Sequence, residues 1–418
     1  MDWWLIGLAS VALIVGVTLV WKAPTWAGAR TAGVGFVLFG LATGSLAILR
    51  DVEVKTHNPV PVSDINQIGD ADPESLVVGL DRAYFAANGT LNSTGVHEPS
   101  ATPGIFMLRR HSHMVQRHDV GPLATKPSQL TVVPSQSTGE ALLFAVGATL
   151  LLADGPCTEV RPATDGPLSA IFGLRADSAG TFMLGAPTAG RVQVYEVDLV
   201  GRTYRAVPGA VVEGDRATAF HACVAPSLLR SFVAANGADR SLWAWPGQGA
   251  PQRVPVKDLT LVHETPGGLL VSATTGGHAR LSFVASATNV DQIEFEDIQQ
   301  APLVAVHACA TWHGSEWLLA SQATGTSLWR VAWGRLALVE RLGSVVEPRL
   351  LTPIDGALCF VTSTKSLWLK LSTDDHNGVV PPNLADMPVP SMWSFGGKAV
   401  FTAKLADGHS TLCLWGMH

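Results

Sequence analysis

A short motif recurs along most of the chain: a small hydroxyl residue, then leucine, then a large side chain. Its clear copies are Ser241-Leu242-Trp243, Ser327-Leu328-Trp329 and Ser366-Leu367-Trp368, and Thr411-Leu412-Cys413 is a weaker one. The tryptophans of the first two copies are 86 residues apart, which is twice 43. A repeat of this length restricts the fold to architectures built from many copies of one supersecondary unit.

Further copies fill the remaining intervals. Related segments occur at Gly104-Ile105-Phe106, Thr149-Leu150-Leu151, Gly190-Arg191-Val192-Gln193 and Arg280-Leu281-Ser282-Phe283. Together with the four copies above they give eight units, separated by about 39 to 50 residues. No long helical period appears between them, and short apolar runs alternate with Gly, Pro, Asn and Asp turns.

Each unit reads as four short strands. In the sixth unit we predict strands over residues 303–310, 316–321, 327–333 and 336–341, separated by turns that contain glycine. A four-stranded unit of this size resembles the blade of a β-propeller, and the resemblance covers about residues 58–418. It is to the superfold in general, since the Trp-Asp, Kelch and sialidase-type signatures are missing.

The resemblance implies an all-β ring of eight blades, or seven if the first copy is misread. The last copy stops after its third strand, so we expect residues 59–66 to supply a fourth strand that closes the ring. The predicted organisation is a membrane hairpin over residues 1–50, a linker over 51–73 that includes this strand, and a propeller over 74–418.

Two apolar segments precede the repeats. Residues 3–21 contain only Ser10 and Thr18 as polar side chains, and residues 32–49 carry no charge. Each is nearly long enough to cross a bilayer as a helix, and tryptophans suit the two boundaries. We therefore expect an integral two-pass membrane protein with membrane lipid as one partner and its propeller periplasmic or otherwise extracytoplasmic.

Three glycines lie along one stripe of the second apolar segment: Gly33, Gly40 and Gly44. A stripe of small residues allows two membrane helices to approach closely. We assign these glycines to helix packing, either against the first segment or against another protein.

The net charge and the spacing of the cysteines argue against nucleic-acid binding and against zinc or redox motifs. The net charge of -6 and the pI near 6.1 argue against nucleic acid as a partner, because such binding needs a basic surface. The five cysteines are widely scattered, without closely spaced pairs. This spacing is unlike zinc or redox motifs.

Three histidines recur on the predicted first strands of successive units: His221, His263 and His307. First strands line the axis of a propeller, so three imidazoles could converge there and bind Zn²⁺, with Glu264 as a second-layer partner. The alternative is a buried, hydrogen-bonded histidine inherited by each repeat. We expect no cofactor otherwise.

A basic cluster lies on the predicted third-to-fourth strand hairpin of the first unit. It contains Arg109, Arg110 and Arg117, interspersed with histidines. Such a cluster could bind an anionic partner or a lipid headgroup, or it could be a solvated hairpin.

No linear hydrolase or nucleotide-binding motif occurs in the chain. The sequence therefore predicts a non-catalytic scaffold or accessory subunit that contacts other proteins of a membrane complex. Two alternatives stay open. One is a metal-dependent hydrolase or lactonase-like enzyme that uses the three histidines, and the other is a ligand-sensing head, so enzymatic activity is left undecided.

Overall fold

The structure is a computed structural model that describes most of the chain from residue 75 onward. The described residues are 60–61, 71–72, 75–87, 103–110, 115–343 without 165, 179, 224–228 and 298, 350–354, 357–361, 367–370, 391–404 without 397, 410–416, and seven residues before position 38. From residue 60 onward these residues form β-strands and their connections. The compact unit that holds the strands spans Val60–Leu414.

The strands are numbered in chain order, beginning with β1 at Val60–Pro61. Blade 1 consists of β2 Val77–Val78, β3 Arg82–Ala87, β4 Gly104–Arg109 and β5 Val115–His118. Blade 2 consists of β6 Gln129–Ser135, β7 Gly139–Val146, β8 Thr149–Ala153 and β9 Cys157–Pro162. Blade 3 consists of β10 Ala170–Asp177, β11 Gly180–Ala186, β12 Arg191–Asp198 and β13 Thr203–Glu213. Blade 4 consists of β14 Arg216–Cys223, β15 Leu229–Asn236, β16 Asp239–Trp245 and β17 Gln252–Arg253.

The second half repeats this arrangement. Blade 5 consists of β18 Leu259–Thr265, β19 Gly268–Thr275, β20 His278–Val284 and β21 Val290–Gln292. The short β22 Glu294–Phe295 precedes blade 6, which consists of β23 Ala305–Trp312, β24 Ser315–Gln322, β25 Gly325–Ala332 and β26 Arg335–Gly343. Blade 7 contains β27 Leu350–Ile354, β28 Ala357–Val361 and β29 Leu367–Lys370. Blade 8 contains β30 Ser391–Phe395, β31 Lys398–Lys404 and β32 Ser410–Gly416.

The predicted repeat coincides with one strand of every blade. The apolar second or third residue of each motif copy lies on the third strand of its blade, namely β4, β8, β12, β16, β20, β25, β29 and β32. In blade 6 the leucine and tryptophan of the motif, Leu328 and Trp329, are both fully buried. The motif therefore marks residues that a blade must bury on both of its sides.

Blade 6 shows why the sequence folds in this way. Along β23 every second residue is buried and the others are partly exposed, which is the pattern of a strand with one covered face. Positive φ angles at His313 and Gly314, and again at Trp333 and Gly334, form two-residue turns. Such turns match the right-handed twist of paired strands, so each one returns the chain directly into a hairpin.

Apolar clusters join neighbouring blades into a ring. Among the described residues such clusters connect seven of the eight neighbouring pairs. One of these unites Phe85 of blade 1 with Phe395 and Leu412 of blade 8 and so closes the circle. Between blades 7 and 8 the Thr352 hydroxyl donates to the Met392 carbonyl at 3.4 Å.

The N-terminal strand β1 completes blade 8. It pairs antiparallel with β32, Val60 opposite Leu414 and Pro61 opposite Cys413. The sheet of blade 8 therefore has four strands, in the order β1-β32-β31-β30. An unpaired β32 would expose a row of backbone groups, which pairing with β1 covers.

Removing β1 should destabilise blade 8 locally. In a chain that starts at residue 67 we expect the β32 amides to exchange with solvent about tenfold faster, since the hydrogen bonds to β1 are lost. Hydrogen exchange with mass spectrometry measures this effect, and β19 of blade 5 is the internal reference. Val60→Ala, which keeps the backbone pairing, should leave the exchange of β32 unchanged. Equal β32 exchange in the truncated and full chains would show that β1 does not hold the blade.

The predicted transmembrane hairpin is wrong. Each helix of the predicted hairpin has to be long enough to cross the bilayer, with its backbone polar groups bonded within the helix. No helix in the part of the chain that the structure describes is long and apolar enough to cross a bilayer. This finding overturns the hairpin in the predicted fold class and the two-pass membrane localisation, whereas the all-β propeller remains. Segments 3–21 and 32–49 lie largely outside the described residues, as do Gly33, Gly40 and Gly44.

Candidate functional site

The direction of the strands divides the ring into two faces. The first strands of the blades lie beside one another around the axis, and the outer strands β9 and β13 pair in parallel. Each blade therefore runs in the same sense, and all first-to-second and third-to-fourth strand turns emerge on one side. We call this side face 1. Its turns include residues 79–81, 199–202 and 333–334.

Among the described residues of the propeller, the most exposed large apolar side chains lie on face 1. Leu80, Val200 and Trp333 are 82%, 85% and 101% exposed, and each lies on one of those three turns. The next two in exposure, Val211 and Val304, reach only 40% and 43% and lie toward the opposite face. The three residues belong to blades 1, 3 and 6, so they are separate apolar points distributed around face 1.

Trp333 is the most exposed of the three side chains. Its φ angle is 56°, a left-handed conformation that a bulky residue seldom adopts. Trp329, four positions earlier, is completely buried in the cluster between blades 5 and 6. The two tryptophans therefore differ in role: one fills the core, and the other presents its indole to solvent.

The predicted basic cluster lies partly on face 1. Arg109 ends β4, and the Arg110 N–H donates to the Asp81 carbonyl at 2.9 Å, which joins two turns of face 1. Arg117 lies farther along β5, opposite Phe106, toward the other face. Arg82, which sequence reasoning missed, pairs directly opposite Arg109 on β3. Binding of an anionic partner by these arginines stays a prediction.

His118 does not add to this positive charge. Burial lowers the pKa of its imidazole below the usual value, and the neighbouring Arg82 lowers it further. Its ring meets Tyr84 edge-on, with ring centroids 5.4 Å apart. His118 is therefore a neutral, packed side chain at neutral pH.

An ion pair joins two blades that are not neighbours. The Arg175 guanidinium on β10 donates to both carboxylate oxygens of Glu264 on β18, at 3.1 and 3.0 Å. These are the first strands of blades 3 and 5. The ion pair therefore bridges across the first strand of blade 4, near the axis of the ring. The side chains are 35% and 32% exposed, so solvent screens the interaction. Glu264 thus pairs with an arginine in the channel.

His263 contacts blade 6. Its Nε2 lies 3.3 Å from the Thr311 hydroxyl and 3.3 Å from Glu316 Oε2, while that hydroxyl donates to the same carboxylate at 2.7 Å. A nucleophilic triad needs the hydroxyl on one imidazole nitrogen and the carboxylate on the other. Here both partners share one nitrogen. The arrangement is a hydrogen-bonded joint between two blades.

The predicted histidine cluster is not brought together by the described side chains. His307 Nε2 lies 3.1 Å from the Ser321 hydroxyl within its own blade. The side chain of His221 lies outside the described part of the chain. Within that part, no three His, Cys, Asp or Glu side chains lie close enough to hold a metal ion. Metal binding through His221, His263 and His307 stays a prediction, and in the described residues His263 and His307 make hydrogen-bond contacts to Thr311 and Ser321.

Two thiols in the described part of the chain, those of Cys309 and Cys359, are poor nucleophiles. Burial raises the pKa of the Cys359 thiol, and burial together with the negative charge of Glu316 raises that of Cys309. Both are protonated at neutral pH, whereas nucleophilic chemistry needs the thiolate.

A second interblade ion pair is almost completely buried. Arg230 at the start of β15 donates through Nε and Nη2 to the Asp177 carboxylate at the end of β10, at 2.9 and 3.1 Å. The side chains are only 6% and 10% exposed. The guanidinium carbon lies 4.5 Å from the ring centroid of Phe182 and 5.6 Å from that of Trp245. The two rings also contact each other edge-on, with centroids 5.3 Å apart, so the paired cation packs against both of them and is strongly fixed in position.

Sequence reasoning did not find this pair. Arg230 and Asp177 are 53 positions apart and belong to different repeats, so no local motif connects them. The only usable signal is the repeat itself, which places Asp177 at the end of a first strand and Arg230 at the start of a second.

Comparison with known proteins supports the architecture. No protein-family profile matches the chain, and no curated protein matches it. Among solved structures, the computationally designed Ika8 protein is similar over 86% of this chain and all of its own, with 12% identity and a TM-score of 0.54. Saccharomyces cerevisiae Sqt1 covers 85% of this chain and 98% of its own, with 10% identity and a TM-score of 0.50. The Dos1 propeller is similar over 87% of this chain and 97% of its own, with 9% identity and a TM-score of 0.50.

The fold is a β-propeller. At such low identity the similarity extends to the fold and no further, so the function of this propeller has to be argued from its own surface.

Proposed function

We propose that this β-propeller is a non-catalytic protein-interaction scaffold, or an accessory subunit of a protein complex, and that face 1 is its principal contact surface. The observation that carries the proposal is that Leu80, Val200 and Trp333, the most exposed large apolar side chains among the described residues of the propeller, all lie on turns of face 1. Tryptophan is among the residues that contribute most to the affinity of protein interfaces. These three apolar side chains are already exposed, so a partner that covers them removes apolar surface from water without any change in the fold of the propeller.

The charged groups of face 1 support a protein partner. Asp81, Arg109 and Arg110 border the Leu80 turn, so polar groups surround an apolar contact. An apolar centre with a polar rim is the usual anatomy of a protein interface. Contacts of Arg175 with Glu264 and of His263 with Glu316 link blades 3, 5 and 6, and the apolar clusters between neighbouring blades make the ring a rigid docking surface.

The test compares two multiple variants of the full chain. One replaces Leu80, Val200 and Trp333 with serine, and the other replaces Val211 and Val304 with serine as a matched control on the opposite side. Proteins cross-linked to the wild-type chain in its own cells should be lost from the first variant and kept by the second. The loss should correspond to about 2 kcal/mol or more of binding free energy.

Two outcomes would contradict the proposal. Retention of all partners by the triple variant would show that face 1 is not the contact surface. A wild-type chain that reproducibly cross-links to no protein would exclude a scaffold.

A further inference from the structure

A groove on face 1 separates blades 3 and 4. Its volume is about 780 Å³. Blade 3 contributes Phe182, Glu196 and residues 205–208, and blade 4 contributes Arg230 and residues 245–248. The aromatic rings of Phe182 and Trp245 form its buried floor, and the Arg230 guanidinium packs against both of them.

Arg230 has donors that Asp177 does not use. The carboxylate of Asp177 accepts from Nε and Nη2, which form one edge of the guanidinium. Nη1 makes no hydrogen bond to any residue that the structure describes, and it borders Gly247, where a Cβ added to the glycine would lie 3.1 Å from it. The edge formed by Nη1 and the second hydrogen of Nη2 therefore faces the groove, and a guanidinium can only donate.

The unused donors of Arg230 select the ligand. In this groove Arg230 is paired with Asp177 and Arg205 with Glu196, so the two ion pairs leave no net negative charge to repel a carboxylate. The adjoining groove between blades 2 and 3 carries Asp198 in addition to the Arg205–Glu196 pair and is therefore negative. Gly247, which has no side chain, leaves the guanidinium edge open to an incoming group.

We propose that this groove is a carboxylate-recognition pocket, in which the free edge of Arg230 takes an aspartate, a glutamate or the C-terminal carboxylate of a partner protein. A guanidinium edge matches the two oxygens of a carboxylate, and such paired bonds are stronger than those between neutral groups. The cation is already held by Asp177 and two aromatic rings, so little side-chain freedom is lost on binding. The inference rests on the proposed scaffold function and adds the chemical class of the partner group.

The test uses the wild-type chain and short random peptides displayed with free C-termini. Peptides selected for binding should be enriched in acidic residues or should depend on the free carboxylate. Amidation of the C-terminus, compared with Asp→Asn and Glu→Gln changes within the peptide, distinguishes the two sources. Enrichment of peptides without any carboxylate requirement would overturn the proposal.

Charge variants at the rim locate the site without disturbing Arg230. Gln248 is exposed and lines the groove, whereas Gln252 is an exposed glutamine of the same blade outside it. Gln248→Glu should weaken the selected peptide about three- to tenfold, and Gln248→Lys should strengthen it similarly. Gln252→Glu should leave the affinity unchanged. Equal affinities in all three variants would place the peptide elsewhere and overturn the pocket.

The proposed function has a separate readout. If cellular partners are lost only when Leu80, Val200 and Trp333 are replaced, and Gln248 variants bind them normally, the scaffold stands and the pocket fails. If no partner and no peptide bind, both fail.

Discussion

Arg230→Met is expected to lower the free energy of unfolding of the propeller by about 3 to 5 kcal/mol, because it leaves the Asp177 carboxylate buried without its cation. The two side chains are only 6% and 10% exposed, so water compensates poorly for the lost partner. Methionine keeps the apolar contact with Phe182 and Trp245, which isolates the electrostatic part of the loss. Equilibrium urea unfolding followed by tryptophan fluorescence measures the change.

A double variant tests whether the loss comes from the unpaired buried charge. Arg230→Met combined with Asp177→Leu should recover much of the loss, since no buried charge then remains unpaired. Arg205→Met is the exposed control, and its partner Glu196 stays in solvent, so the urea midpoint should not move. If Arg230→Met unfolds at the wild-type midpoint, the buried pair does not hold blades 3 and 4 together.

Trp329→Ala is expected to cost about 3 to 5 kcal/mol, the usual range for removing a buried tryptophan. Its side chain is fully buried and lies in the cluster that joins blades 5 and 6. The cavity would weaken the contact between the two blades as well as blade 6 itself. Thermal unfolding should show the loss, and hydrogen exchange should place it in β20 and β25.

Trp333→Ala is the matched control for this prediction. It removes the same side chain four positions later, from a site that is fully exposed. We expect a change in stability within about 0.5 kcal/mol, as for most surface substitutions. A large loss of stability in Trp333→Ala would mean that this indole is part of the fold and is not available to a partner.

Much of the fold could be predicted because its signal is local and repeated. The motif at Leu328 and Trp329 marks the third strand, and the glycine turns mark the ends of the strands. In blade 6 every predicted strand begins and ends within two residues of the observed one. The pairing of β1 with β32 also followed from counting strands, since the last copy lacks a fourth.

The hairpin shows the limit of such reasoning. Apolar length alone predicted two membrane spans, but hydropathy does not establish a continuous helix. The described residues contain no helix that could cross a bilayer, so the correction came from backbone structure.

The histidines show another limit. Their recurrence predicted that His263 and His307 share a position on first strands, and both do lie there. What each imidazole contacts depends on neighbouring strands: Thr311 and Glu316 for the first, Ser321 for the second. A repeat fixes equivalent places in the blades, while the partners at those places change from blade to blade.

The amino-acid sequence by itself determined the all-β architecture, the approximate repeat length and the strand that completes the last blade, because strand periodicity, turn residues and spacing are properties of neighbouring residues. Only the tertiary structure decided between seven and eight blades, placed Leu80, Val200 and Trp333 on one face, and brought Arg230 to Asp177 beside two aromatic rings. These relations join residues from different blades, and the packing of each blade against the next, which no local pattern encodes, brings them together.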